Sequence, residues 1–267
     1  LLATDPDCDR VGIAVRHDND YQLLSGNEVG VLLTDFICRV RSADGTVKAM
    51  PKEPYMVRTI VTTKMADAIC RKYGVKVIAT LTGFKYIGEI IGMHEDKGRE
   101  EDYIFGFEES YGYLSGTYVR DKDAVNAVLL ICQMAALYKE AGKTLADRME
   151  ELYKEYGYSR NELLDFQFPG ERGMEEMAAI MASFRIDQTP EYAEKKVLKI
   201  IDYMKGGELP PADVVEFNLE DGCGFTVRPS GTEPKLKIYL FGNGKTEKDV
   251  EEYLEKVGRE LTGRIKS

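Results

Sequence analysis

The stretch YMVRTIVTTKMADAICRKYGVKVIAT, residues 55–80, decides the fold class. Tyr55–Val61 is rich in β-branched residues and reads as a strand. Lys64–Tyr73 reads as a helix that stops at Gly74, and Val75–Thr80 as a second strand. Strand, helix and strand on short links make the unit of a parallel or mixed sheet covered by helices. The alternation continues downstream: Tyr86–Met93 is a predicted short helix, Tyr103–Phe107 a strand, and Asp123–Ala141 a helix ending at Gly142. Upstream, Leu1–Thr4 and Val11–Val15 read as strands, with His17–Asp20 as a hairpin turn into Tyr21–Leu24. Asn27 is the expected cap of a helix from Glu28 to near Val40, with Val29, Leu32, Leu33, Phe36 and Ile37 on one face. Strand ends of such a sheet are natural places for a site.

The pattern shifts after Tyr158. Leu163–Phe168 is a predicted strand, Gly173–Phe184 a Met-rich helix, and Lys205–Asp213 a loop. Phe225–Val227 and Leu236–Phe241 are predicted strands, and Glu247–Leu261 an amphipathic helix. The expected fold class is α/β: a mixed-sheet α/β domain followed by a smaller α+β C-terminal domain, with a boundary near residue 158.

Bulk properties exclude several functions. The chain has 267 residues, is 43% hydrophobic and 31% charged, and carries a net charge of −10. That charge argues against nucleic acid or anionic membrane as partner. No apolar run reaches the roughly 20 residues a membrane helix needs; the longest, Ala124–Leu137, is broken by Asn126 and Gln133. Cys8, Cys38, Cys70, Cys132 and Cys223 are odd in number and widely spaced, which fits reduced thiols and a cytoplasmic location. His17 and His94 form no HExxH, so histidine-based metal or triad chemistry has little support.

Two loops carry the strongest chemistry. In Thr4-Asp-Pro-Asp-Cys-Asp-Arg10, alternate side chains of an extended segment put Asp5, Asp7 and Asp9 on one side. Three converging carboxylates repel one another unless a cation joins them, and hard oxygen ligands favour Mg²⁺. An EF-hand would need Gly at its sixth position and Glu at its twelfth, where this chain has Arg10 and Arg16. The bland alternative is an acidic surface turn; the flanking strands favour the metal. Arg10 suits a phosphate held beside the ion. In Arg228-Pro-Ser-Gly-Thr-Glu-Pro-Lys235, Arg228 offers a planar fork, Ser230 and Thr232 offer hydroxyls, and Gly231 lets successive N–H groups face an anion. Lys235 and Lys237 share one strand face. The alternative is an ordinary Pro/Gly/Ser turn. Gly244-Lys245-Thr246 is no P-loop, because Tyr239 stands where the first glycine belongs.

The middle loops are weaker by themselves. Glu108 and Ser110 suit recognition of sugar hydroxyls, or simply a capped loop. Lys85 would steady an anion or move a proton, or be a solvated lysine. Arg58 is unusual inside an apolar strand. Arg120 and Lys122 precede a helix, where a salt-bridged turn is an equal reading.

Taken together, TDPDCDR (4–10), LTGFKYIG (81–88), GFEESYGYL (106–114) with YVRDKDAV (118–125), and RPSGTEPKLKIY (228–239) stand in the order of the α-D-phosphohexomutase superfamily. The chain resembles its bacterial phosphoglucomutase branch over nearly its whole length. The resemblance implies four domains around a central cleft. It implies Asp5, Asp7 and Asp9 as Mg²⁺ ligands, Arg10 at the catalytic centre and Lys85 in proton transfer. Glu108 and Ser110 would contact ring hydroxyls, and Arg228, Ser230, Gly231 and Thr232 would grip the phosphate that is not transferred. A phosphoserine would donate to the sugar, a bisphosphorylated intermediate would turn over, and the other phosphate would return to serine.

The family's nucleophilic serine lies in a TxSHNP-like loop of its first domain, and no such sequence occurs in this chain. Residues 1–20 are therefore expected to be the tail of the second domain with the metal loop, 21–157 the third domain, and 158–267 the fourth. The chain is expected to be a fragment, inactive alone, whose partners are the missing N-terminal domains and a phosphosugar. The EESYG form resembles glucose-phosphate enzymes, pointing to glucose 1-phosphate and glucose 6-phosphate. Alternatives are a phosphomannomutase or phosphopentomutase of the same family, or a non-catalytic sugar-phosphate-binding module.

Overall fold

A computed structural model describes residues 1–43, 48–231 and 233–266. They fall into two compact units, Leu1–Tyr156 and Gly157–Ser267.

The first unit opens with β1 (Leu2–Thr4), β2 (Val11–His17) and β3 (Asp20–Leu24), a three-stranded antiparallel sheet in that order. His17 pairs with Asp20 across a two-residue turn in which Asp18 and Asn19 both have positive φ. Asn and Asp tolerate that conformation, and it matches the strand twist. Helix α1 (Gly26–Ser42) follows. It starts earlier than expected, because Ser25 and Glu28 form a capping box: the Ser25 hydroxyl accepts the Glu28 N–H at 3.2 Å, and the Glu28 carboxylate accepts the Ser25 N–H at 2.7 Å. Asn27, the expected cap, instead accepts the Thr63 N–H at 3.0 Å.

The central layer holds β4 (Tyr55–Thr59), α2 (Met65–Lys72), β5 (Lys76–Thr80), α3 (Phe84–Glu95), β6 (Tyr103–Phe107) and β7 (Tyr113–Leu114). Their sheet order is β5-β4-β6-β7, with β4 parallel to both β5 and β6, and β7 antiparallel to β6. All five residues of β4 are buried. Met56 packs into a core with α1 and α2, whereas Tyr55 and Val57 pack with Phe84, Ile87 and Ile91 of α3. A strand covered on both faces loses its polar alternation, which is why residues 55–59 read as one apolar run. Arg58 is tolerated there because its guanidinium forks onto Asp67 of α2, Nε–Oδ1 and Nη2–Oδ2 both 2.6 Å, and also donates to the Thr59 carbonyl.

Two helices finish the unit, α4 (Ala124–Glu140) and α5 (Leu145–Tyr156). Sequence reading did not anticipate α5, although Leu145, Met149 and Leu152 are buried at helical spacing. Thr144 and Asp147 cap its start reciprocally.

The second unit is α+β. It comprises β8 (Tyr158–Gln167), α6 (Gly173–Arg185), β9 (Glu191–Tyr192), β10 (Lys195–Asp202), β11 (Val215–Leu219), β12 (Gly224–Pro229), β13 (Lys235–Gly244) and α7 (Glu247–Lys266). The strands form one antiparallel sheet, β8-β13-β12-β11-β10-β9. Phe184, Phe217, Phe225, Leu236, Ile238, Leu254 and Val257 lie in its core. Strands β9 to β11 were not anticipated: β10 is lysine-rich and its register shifts between Val197 and Lys199, which breaks the alternation.

All five cysteines are free. Among the described residues, no single helix is long and apolar enough to cross a membrane.

Candidate functional site

The aspartate loop, closed by the pairing of Thr4 with Val11, is a turn rather than an extended segment. Cys8 adopts a φ of 56°, its N–H donates to the Asp5 carbonyl, and the Asp5 carboxylate accepts the N–H groups of Asp9 at 3.2 Å and Arg10 at 3.0 Å. The turn still brings the three carboxylates together: one oxygen of each of Asp5, Asp7 and Asp9 lies within 4.8 Å of the others. The Arg10 N–H, more than the other hydrogen bonds, holds the Asp5 carboxyl below its ordinary value.

Asp9 Oδ1 is buried with no hydrogen-bond partner among the described residues, the Arg10 Nε lying 3.7 Å away, while Asp9 Oδ2 meets the Lys122 ammonium at 2.5 Å. A buried carboxylate oxygen in that state is costly unless something fills its lone pairs. Three clustered hard-oxygen donors, one of them orphaned, fit a Mg²⁺-like cation. Sequence reading left Lys122 open between a functional residue and a salt-bridged turn before α4, because nothing local distinguishes the two. Its placement comes from the start of α4, where Ala124 N–H bonds the Cys8 carbonyl.

The GFEES loop is stitched to the same place. Val11 N–H donates to the Tyr111 carbonyl at 3.2 Å, and Arg10 bridges Gly112. Glu108 is buried at the end of β6, and its carboxylate accepts the N–H of Gly83 at 2.9 Å. Gly83 holds a φ of 122°, which side chains rarely adopt, and this geometry aims its N–H at Glu108. Burial pushes the Glu108 carboxyl up, while the Gly83 N–H, Lys122 and Arg10 pull it back. Glu109 takes a different course, accepting from the Thr59 and Thr62 hydroxyls at 3.5 and 3.4 Å.

Ser110 is half-buried two residues beyond Glu108. Lys85 is exposed in the first turn of α3, two residues beyond Gly83, with its ammonium 4.8 Å from the Tyr86 ring centre. The first unit thus joins the aspartate loop, Arg10, Glu108 and the TGFK loop, and adds Lys122. Arg120 lies apart, bonded to Glu95 and the Thr117 carbonyl.

In the second unit, Arg228 is half-buried on β12, directly opposite Lys237 of β13. Beyond it the chain turns: Ser230 N–H donates to the Lys235 carbonyl at 2.7 Å, and the Ser230 hydroxyl accepts the Glu233 N–H. Gly231 was expected to supply a special backbone conformation. It keeps an ordinary φ, and among the described residues nothing beyond its chain neighbours lies within 4 Å of where its Cβ would be, so its backbone is open to an approaching group there. Thr232 lies outside the described residues. Lys235 is paired with Glu233 at 2.7 Å, and Lys237 stands between Arg228 and Asp165 across the sheet.

Comparisons with known proteins bear on the family and the fold. Residues 25–156 match the phosphoglucomutase/phosphomannomutase α/β/α domain III, and residues 163–259 match the C-terminal domain of that family. Phosphoglucomutase from Staphylococcus saprophyticus is 36% identical over 253 residues, covering 90% of this chain and 44% of the relative. Its counterpart in Staphylococcus epidermidis is 34% identical over the same span. This chain therefore spans less than half the length of those relatives. Among solved structures, the Paramecium phosphoglucomutase pp63/parafusin in its open form has a TM-score of 0.67 at 19% identity, covering 99% of this chain and 44% of the other. A phosphoglucomutase/phosphomannomutase family protein from Burkholderia thailandensis has a TM-score of 0.62 at 13% identity, covering 98% and 46%. At those identities the structural likeness speaks to fold alone. Two domain matches in series, with the relatives above 30% identity, place this chain in the phosphoglucomutase/phosphomannomutase family, within the α-D-phosphohexomutase superfamily.

Proposed function

We propose that the chain supplies the metal, sugar and phosphate sites of a phosphohexomutase that interconverts glucose 1-phosphate and glucose 6-phosphate. The observation that carries this reading is the convergence of the aspartate, TGFK and GFEES loops through Lys122–Asp9, Arg10–Gly112 and Glu108–Gly83. A bound Mg²⁺ would draw negative charge from a phosphoryl group during transfer. Asp5, Asp7 and Asp9 are the residues to hold it. Arg10, half exposed beside them, is free to reach a phosphoryl oxygen. Glu108, its carboxylate already anchored by Gly83, presents a fixed acceptor to a ring hydroxyl, with the Ser110 hydroxyl near it in the chain. Lys85 is accessible for proton transfer. In the second unit, Arg228, Ser230 and the open backbone at Gly231 suit the phosphate that stays on the sugar.

No serine of these 267 residues sits in a TxSHNP-like loop, so turnover is proposed to need a phosphoserine supplied by sequence other than this. The test is calorimetric titration of both glucose phosphates into the chain with Mg²⁺, beside Arg228→Ala and Glu108→Gln. Binding lost in both variants supports the reading, and so does the absence of turnover by the chain alone. Binding indifferent to both substitutions overturns it. Turnover by the pure chain would remove the need for an external phosphoserine.

A further inference from the structure

A cavity of about 390 Å³ opens at the other end of the parallel strands, lined by Lys52, Glu53, Tyr55, Lys76, His94 and Arg99, with Pro54 and Gly74. It lies where β4 and β5 begin, whereas the Glu108 and Gly83 loops lie where the strands end. A five-residue strand puts roughly 16 Å between the two.

The lining is built for an anion. Lys52, Lys76 and Arg99 face a single lining carboxylate, Glu53. Arg99 is held by Glu53 and by Asp102, its Nε 2.9 Å from the Asp102 carboxylate, so its guanidinium is fixed. Among the described residues, neither Lys52 nor Lys76 has an ion-pair partner, and both are exposed. Helix α3 ends here, but its terminal carbonyls are occupied: His94 O accepts the N–H groups of Lys97 and Arg99, and Glu95 O that of Gly98.

Two further groups point to a bound molecule. The Tyr55 hydroxyl is buried, on a side chain only 1% exposed, and has no hydrogen-bond partner among the described residues. An orphaned buried hydroxyl is rare unless a ligand or water completes it. Burial pushes its pKa up to about 12, so it remains a donor at neutral pH. The His94 ring stacks on Tyr55 with centroids 4.1 Å apart, and its Nδ1 lies 2.9 Å from the Ile90 carbonyl. A carbonyl only accepts, so Nδ1 carries the proton and Nε2 is left as the ring's other polar atom.

We propose that this cavity is a second ligand site, for a small phosphorylated organic anion. Lys52 and Lys76 supply charge, Arg99 and the Tyr55 hydroxyl supply directed donors, and the Tyr55–His94 stack walls the organic part. The volume exceeds what a bare phosphate needs and falls in the range of small-molecule pockets. The site uses none of the residues assigned to sugar-phosphate turnover, so it stands or falls separately from that reading.

The test is titration of the chain with 3-phosphoglycerate and, in parallel, with inorganic phosphate, followed by calorimetry and backbone amide shifts. Saturable 3-phosphoglycerate binding that shifts the Gly74 and His94 amides is expected, with inorganic phosphate binding more weakly. Lys52→Ala/Lys76→Ala, which alters only exposed side chains, should weaken binding by about tenfold or more. Tyr55→Phe should weaken it with the fold retained, and Arg228→Ala should leave it unchanged. Absence of saturable binding, or binding indifferent to the double lysine variant, overturns the proposal. Equal affinity for inorganic phosphate and 3-phosphoglycerate overturns its organic part.

Discussion

Lys122 Nζ lies 2.5 Å from Asp9 Oδ2, so the ammonium at the start of α4 occupies one oxygen of the cluster proposed to bind Mg²⁺. The two charges sit on a loop and a helix start that are 113 residues apart in sequence, and both are mostly shielded from solvent.

The first prediction concerns that pair. A cation entering between Asp5, Asp7 and Asp9 must share Asp9 with Lys122 or displace it. Replacing Lys122 with Met removes the competitor and a like charge beside the ion. Mg²⁺ affinity of the chain should then rise by about fivefold, the equivalent of ~1 kcal/mol for a partly exposed pair. Calorimetric Mg²⁺ titration of Lys122→Met reads this directly. A fall in affinity would mean that Lys122 positions Asp9 for the metal and does not compete with it.

Glu108 gives a pH prediction with a definite sign. Burial raises its carboxyl above the ordinary 4.5. A carboxyl raised in the folded state contributes stability that is complete below its unfolded value and lost as pH rises through its folded value. Glu108→Gln keeps an acceptor for the Gly83 N–H but cannot ionise. Wild type should therefore lose stability relative to Glu108→Gln as the pH climbs above about 4.5. Urea denaturation of both proteins across that range measures the difference. A constant difference would show that the carboxyl keeps the same pKa folded and unfolded.

The contrast between Asn27 and Ser25 shows where sequence reading succeeds and where it stops. The buried face of α1 was legible because Val29, Leu32, Leu33, Phe36 and Ile37 repeat at helical spacing. The cap was misassigned because two polar residues stood two positions apart, and only the reciprocal Ser25–Glu28 bonds decide between them. Loop motifs were legible as residue types, and their convergence was not. Lys122 and Gly83 reach the site through contacts distant in sequence, and these depend on the sheet order β5-β4-β6-β7. Strand β10 failed for a local reason, since a register shift and four interspersed charged residues conceal the two-residue period.

Gly26 supplies a third prediction. A Cβ there would lie 2.1 Å from the carbonyl oxygen of Glu109 and 2.8 Å from the Tyr111 nitrogen, both backbone atoms of the GFEES loop. Neither can yield as a flexible side chain can. Gly26→Ala should destabilise the chain by about 1–3 kcal/mol, the usual cost of overpacking. It should also weaken glucose 6-phosphate binding, because the loop that carries Glu108 and Ser110 must shift. Gly12→Ala is the control, where among the described residues nothing beyond the chain neighbours lies within 4 Å of the added methyl. Urea denaturation and calorimetry on both variants check it, and equal behaviour of the two would mean that the loop is not braced against α1.

The last prediction addresses the buried network that ties α1, α4 and α5 together. Asp35 is 1% exposed, and its carboxylate accepts from Arg148 Nη2 at 2.9 Å and Nε at 3.0 Å and from the Tyr138 hydroxyl at 3.0 Å. Arg148→Met would leave Asp35 buried with the tyrosine as its nearest donor, and stability should fall by about 3–5 kcal/mol. The desolvation cost of a buried ion pair disappears when both charges go. Asp35→Leu/Arg148→Met should therefore recover most of that loss, and Tyr138 would keep the Arg39 donor at 3.0 Å. Urea denaturation of the single and double variants measures the cycle. A double variant as unstable as the single would show that the network's worth lies in its hydrogen-bond geometry, not in compensating a buried charge.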